Sequence, residues 1–280
     1  MRDGTALVLG GGGPVGGAWM VGVLAGLTEA GVELDRADVV IGTSAGAIFG
    51  ARVLGGESPR ALYERQLAGE DRIDLEVSAA QTFRFLWAAC ATRDSRRSAQ
   101  RLGRAALAAP VGREGGALDA VRPLLGGARS WPERALRIAA VDARSGEVET
   151  FGSDSSLSLL EAVAASCAVP LVWPPVSAAG RRWLDGGCRS AGNVRLARGY
   201  RRVVALVPIP SAPGPHPSAR QEADELAAEG TSVALLTPGP AARRAMGRDM
   251  TADSRRPHTA RAGHAQAVAA ARSVADVLHG

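Results

Sequence analysis

Gly42-Thr43-Ser44-Ala45-Gly46 is the stretch of this 280-residue chain best suited to nucleophilic chemistry. The apolar, β-branched run Val39-Val40-Ile41 leads into it and Ala47-Ile48 carries on in small and apolar residues, so the order is strand, tight turn, helix. A serine at the apex of such a turn projects its hydroxyl at a helix N-terminus. Glycine is required on both flanks because a side chain there would collide with the neighbouring strand or helix. In a chain with 35 glycines the pentapeptide is expected by chance on the order of 0.3 times, so its weight comes from the strand and helix around it.

A serine hydroxyl attacks an acyl carbon only when a base takes its proton and donors stabilise the oxyanion that forms. The loop Gly10-Gly11-Gly12-Gly13-Pro14-Val15-Gly16-Gly17 follows the apolar strand Thr5–Leu9 and precedes helically spaced Trp19, Met20, Val23, Leu24 and Leu27. It presents backbone amides at Gly11, Gly12 and Gly13, and Ala45, the residue after the serine, offers another. Two kinds of base are present. The histidines, His216, His258, His264 and His279, all lie in the last third, and Ser44, Asp185 and His258 or His264 follow the chain order of a conventional α/β-hydrolase triad. Against that triad, only one strand–helix unit precedes the serine. Asp185 ends the strand Arg181-Arg182-Trp183-Leu184 and is followed by Gly186-Gly187, where a strand end delivers a side chain to a site. A free carboxylate, with a pKa of about 4, is a weak base toward an alcohol, and burial at the strand end would raise it.

The glycine loop has a rival reading from another class, a nucleotide-binding module. Gly11-x-Gly13-x-x-Gly16 matches the dinucleotide fingerprint. That fingerprint also needs an acid closing the second strand to hold the ribose, and here the second strand, Asp38 to Ile41, closes in Gly42-Thr43-Ser44.

Four separated blocks together, in order, resemble the patatin-like phospholipases: Gly10-Gly11-Gly12-Gly13, Gly42-Thr43-Ser44-Ala45-Gly46, Ala165-Ser166-x-x-x-Pro170 and Asp185-Gly186-Gly187. The resemblance implies a Ser-Asp dyad with Ser44 as nucleophile and Asp185 as base, and an oxyanion hole of the Gly11, Gly12 and Gly13 amides. It implies acyl-ester hydrolysis of phospholipid, lysophospholipid or related carboxylic esters through an acyl-enzyme, with no metal or organic cofactor. It also implies a three-layer α/β/α sandwich on a mostly parallel mixed sheet. Many members carry Arg or Lys in the glycine loop, where this chain has Pro14-Val15. Ser166 reads as a turn or helix-packing residue, and Cys167 and Cys188 as small buried hydrophobes.

The remaining elements must position these groups. Leu136–Val141 predicts a buried strand, Glu147–Phe151 its hairpin partner, Leu157–Ala168 a helix stopped by Pro170, Arg202–Val207 and Thr231–Leu236 further strands, and Gly263–Leu278 a terminal helix. Residues 1–280 read as a single domain, with 70–132 a helical insertion. Within it Phe83, Phe85, Leu86 and Trp87 precede the arginines of Arg93–Arg104. They are ordinary packing helices with a solvated basic face, or a cap whose aromatics meet acyl chains and whose arginines meet anionic head groups. The net charge of +5 comes with every strong base an arginine, which fits contact with an anionic membrane surface or a coding bias. No nucleic-acid partner is expected, and no oligomeric state is specified. Three scattered cysteines form neither a disulfide framework nor a metal site, and no signal peptide or bilayer-length apolar run is evident, so a cytoplasmic compartment is expected.

Overall fold

The computed structural model describes residues 2–72, 77–109, 112–113 and 115–279, with only the backbone of Arg2 and Asp35, so 73–76, 110, 111 and 114 of the expected insertion lie outside the described residues. Short continuously apolar runs make strands that are covered on both faces. β1 (Arg2–Leu9), β2 (Val39–Gly42), β3 (Leu136–Asp142), β7 (Tyr200–Leu206) and β8 (Ser232–Leu236) run parallel, in the order β3-β2-β1-β7-β8. Gly42, Leu9 and Leu206 are register partners, so β2, β1 and β7 end level and their loops open at one rim of the sheet.

Three strands complete the β3 side: β4 (Val148–Phe151), the hairpin partner anticipated from the sequence, β5 (Val176–Ala178) and β6 (Arg181–Asp185). The pairing on β3 decides where the site lies. Ile138 faces Gly42 of β2 and Phe151 of β4, while Ala140 faces Glu149 of β4 and Asp185 of β6. A strand has two edges, so β4 occupies one, and β2 and antiparallel β6 share the other. Their C-terminal ends meet head-on there, two residues of β3 apart.

Alternate strand residues face opposite layers. Leu7, Leu9, Val40, Ile138, Val204 and Leu206 face a core built with α1 (Gly13–Glu29), α2 (Ala45–Leu54), α6 (Gly116–Leu124), α7 (Leu159–Ser166), α9 (Pro240–Met246) and α10 (Arg256–His279). α3 (Pro59–Ala68) sits outside α1 and α10 and adds Leu62 to that core. Ala6, Val8, Val39, Ile41, Val203, Ala205 and Val207 face α8 (Ala219–Ala228). On the same flank as β6, the hairpin of α4 (Ala79–Cys90) and α5 (Ser95–Ala108) buries Ala88, Ala99, Leu102 and Ala106 against Val141, Ala143 and Leu184. The result is the three-layer, mostly parallel sandwich expected.

α10 begins seven residues before the apolar stripe at Gly263 that marked it in the sequence. Its first turn is held by polar contacts instead. The buried Arg256 donates to Gln66 Oε1 at 2.9 Å, to Asp253 at 2.8 Å and to the Glu70 carbonyl. The three-residue β5 was also not anticipated, because Val176-Ser177-Ala178 is too short to show alternation.

α10 in turn clamps α1, which carries the glycine loop at its start. A Cβ on Gly263 would collide with the Trp19 carbonyl oxygen, and one on Gly22 with that of Ala260. Gly263→Ala should therefore lower stability by about 1–3 kcal/mol through overpacking. An unchanged urea midpoint would contradict this close helix approach.

Candidate active site

Ser44 joins β2 to α2 with φ 53° and ψ −119°, a sparsely populated conformation that costs on the order of 1–3 kcal/mol and must be imposed by its surroundings. Thr43 N donates to Leu9 O at 2.9 Å and Gly46 N to Thr43 O at 2.8 Å, which ties the turn to the rim of β1. The flanking glycines are sterically required. A Cβ on Gly42 would lie 2.6 Å from Ala47 Cα, and one on Gly46 would collide with the Leu9 carbonyl oxygen.

The head-on meeting of β2 and β6 brings Asp185 beside Ser44. Asp185 Oδ1 also accepts from Gly187 N at 2.7 Å. Both side chains are buried. Burial pushes the Asp185 carboxyl up to about 6, against the pull of the Gly187 amide and the Ser44 hydroxyl.

Two braces were not legible as functional parts. In the gap between the two strand ends, Ser166 Oγ donates to Ala139 O of β3 at 2.6 Å and accepts from Ser44 N at 2.8 Å. This gives the turn or helix-packing residue read from the sequence a specific bracing role, and its place in the Ala165-Ser166-x-x-x-Pro170 block was the available signal. The second brace is Asn193, whose Nδ2 donates to Thr43 Oγ1 at 3.0 Å and to Gly186 O at 3.2 Å. Asn193 N donates to Ser190 Oγ, which donates to the buried Glu222 of α8 at 3.0 Å. The elbow and the Asp185 turn are thus tied to each other and to the opposite layer.

The expected oxyanion donors separate. Gly11 N already donates to Ala191 O at 2.8 Å, so Gly11 is removed from the set read off the sequence. Among the described residues no acceptor is seen for the amides of Gly12, Gly13 and Ala45, the last two being the first residues of α1 and α2. Two helix N-termini therefore converge beside Ser44, where an anion is stabilised.

The triad alternative is not assembled. His264 Nε2 lies 2.8 Å from Glu29 Oε2 and stacks on Tyr63, and His216 Nε2 lies 3.2 Å from Ser98 Oγ. Among the described residues no histidine hydrogen-bonds Ser44 or Asp185. Burial raises the thiols of Cys167 and Cys188, which stay protonated and weakly nucleophilic.

An apolar cavity opens beside Ser44 along one face of α2, lined by Ala45, Ile48 and Phe49, and is walled by Ala117, Ala120, Val121 and Leu124 of α6. Among the described residues no cluster of three or more His, Cys, Asp or Glu could hold a metal, and no helix is long and apolar enough to cross a membrane.

A family model described as patatin-like phospholipase matches residues 7–198. Among solved structures, the type III effector protein ExoU is 16% identical with a TM-score of 0.47, over 98% of this chain and 53% of that one. ExoU from Pseudomonas aeruginosa in its heterodimer with SpcU is 17% identical with a TM-score of 0.42, over 100% and 52%. VipD from Legionella pneumophila is 16% identical with a TM-score of 0.37, over 66% and 46%. The chain spans about half the length of these structures. No curated protein sequence matches it.

A buried acid whose native pKa stands above its unfolded value of about 3.9 weakens the fold once it ionises. The folded state keeps its proton up to about 6, so stability falls as pH rises from about 4 to 6 and stays lower above. Asp185→Asn should therefore stabilise the protein at pH 7.5, by on the order of 2–3 kcal/mol, and give little gain at pH 4. Equal urea midpoints for both proteins at pH 7.5 would show that the carboxylate is not buried as described.

Proposed function

We propose that this chain, which belongs to the patatin-like phospholipase family, is a serine acyl-ester hydrolase working through a Ser44–Asp185 dyad. The observation that carries this reading is the meeting of two strand ends that sets Ser44, at a strained elbow, beside the buried Asp185 carboxyl, whose pKa burial raises to about 6. Ser44 Oγ attacks the ester carbonyl carbon while Asp185 takes its proton. The oxyanion is held by the amides of Gly12, Gly13 and Ala45. Collapse breaks the bond to the alcohol, which leaves with the proton from Asp185, and the acyl group stays on Ser44. Water then gives a proton to Asp185 and attacks the acyl carbon, and collapse returns the proton to Ser44 and frees the acid. A base with a pKa of about 6 is ionised at neutral pH and is more basic than an ordinary carboxylate.

The substrate class is phospholipid, lysophospholipid or a related carboxylic ester. The apolar walls beside Ser44 support it, since an acyl chain buries its hydrocarbon there. Peripheral contact with an anionic membrane surface is supported by α4 and α5. Phe83 is 70% and Trp87 63% exposed, Leu86 of α4 and Leu107 of α5 are exposed as well, and Arg101 lies over the Trp87 ring at 4.8 Å. The whole is one hydrolase unit, with 70–132 as its helical insertion and α6 forming a cavity wall. Three free thiols support a reducing, cytoplasmic setting.

Turnover of a short-chain nitrophenyl ester tests the dyad. Ser44→Ala and Asp185→Asn should each lose activity by at least about a thousandfold, while His258→Ala and His264→Ala stay within about twofold of wild type. Ser166→Ala should lower kcat about 10- to 100-fold with KM little changed, because the elbow loses its anchor while the cavity stays intact. Retained turnover in Ser44→Ala or Asp185→Asn would sink the dyad, and loss in a histidine variant would restore the triad.

A further inference from the structure

The cavity beside Ser44 is closed at one end. Around the serine its rim residues Gly13, Pro14, Cys167, Val169 and Trp173 are half-buried, whereas Arg52, Gln66 and Arg256 at its other end are each no more than 2% exposed. An acyl group on Ser44 that buries its carbons here runs from the rim toward that closed end.

The walls are bulky and fixed. A Cβ on Gly17 would lie 2.6 Å from Phe49 Cε2, so the Phe49 ring rests directly on the backbone of α1. The Trp173 ring rests on Gly116 at the start of α6, where a Cβ would lie 3.4 Å from it. The closed end is an ion-pair network around the buried Arg52 and Arg256. Arg52 donates to Glu57 and to Asp71 at 2.7 Å, Arg65 donates to Asp71 at 2.6 Å, and Arg256 donates to Asp253 at 2.8 Å. Pushing this network aside would leave a charge unpaired away from water, which costs far more than burying another methylene gains. A pocket ending in hydrocarbon could swell around a longer chain, but this one ends in paired charges. The cavity holds about 90 Å³, and since a dry cavity of about 150 Å³ takes one benzene ring, its capacity is roughly four carbons.

We propose that this cavity measures acyl length and restricts the site to esters of short carboxylic acids, of about four carbons, with Leu124 setting the limit. The proposal rests on the hydrolase reading above and narrows its carboxylic esters to those of short acids. Leu124 lines the cavity, and its carbonyl accepts from Arg52 at 3.3 Å, which places it beside the closed end. The long acyl chain of a membrane lipid would leave most of its methylenes outside.

The test reads chain length in turnover and in binding. Across 4-nitrophenyl acetate, butanoate, hexanoate, octanoate and decanoate, kcat/KM should peak at butanoate and be at least about tenfold lower for octanoate. Leu124→Ala shortens the wall and leaves the carbonyl that holds Arg52, so the peak should move to hexanoate or octanoate. Binding of methyl butanoate and methyl octanoate to the Ser44→Ala protein is followed by ligand-observed NMR titration. The extra methylenes of octanoate would tighten binding about a hundredfold or more if they were buried, and here the two esters should bind within about threefold of each other. A kcat/KM that climbs through decanoate, an unmoved peak in folded Leu124→Ala, octanoate binding tighter by about tenfold or more, or binding of neither ester would each overturn the length limit. Binding as expected with no Ser44-dependent turnover of any ester would overturn the hydrolase reading and leave the length limit standing.

Discussion

One edge of β3 is shared by two strands that arrive from opposite directions, and the rest of the site depends on this. β2 runs along that edge to Gly42 opposite Ile138, and β6 runs against it to Asp185 opposite Ala140. Neither can extend further without displacing the other, so both chains must turn out of the sheet at the same place. One turn is the strained elbow at Ser44 and the other is Asp185-Gly186-Gly187. The unpaired carbonyl of Ala139 between them is satisfied by the Ser166 hydroxyl, which also takes the Ser44 amide. The ladder is closed by a side chain, and a side chain that fits fixes the elbow to the strand beside the acid.

Burial at that junction sets the basicity of the Asp185 carboxyl. A carboxylate in water would be too weak a base for an alcohol, and one buried without partners would stay protonated at neutral pH. Asp185 lies between these limits, raised by desolvation and held down by the Gly187 amide and the Ser44 hydroxyl. The neighbouring thiols of Cys167 and Cys188 feel the same desolvation, and the Asp185 charge pushes them in the same direction, so they remain inert. The fold accepts a strained φ at Ser44 and an unfavourable charge at Asp185 in the same few ångströms, and cohesion is supplied elsewhere, by the α1–α10 clamp and the two apolar layers.

Much of this was legible in residue order. Continuous apolar runs identified β1, β2, β3 and β7, because strands buried on both faces need no polar alternation. The elbow and the acid were legible because glycines beside them mark backbone that approaches another chain segment closely. The Ser166 and Asn193 braces were not, since a buried serine or asparagine carries no local pattern that separates a hydrogen-bond strut from a turn. The prior commitment of the Gly11 amide to Ala191 O was equally hidden, because it depends on a loop 180 residues away in sequence. The start of α10 escaped because Arg256 is buried by polar partners rather than by an apolar stripe. These are all long-range matches of donor to acceptor, which no periodicity records.

The central claim is that an ionised Asp185 activates Ser44. Fluorophosphonate labelling, with the adduct mapped by mass spectrometry and the rate followed with pH, addresses it most directly. The adduct should form on Ser44, at a rate that rises about tenfold per pH unit up to about pH 6 and is level above, and Asp185→Asn should abolish it. An adduct on another residue, or labelling of Ser44 that is indifferent both to pH and to Asp185→Asn, would contradict that claim.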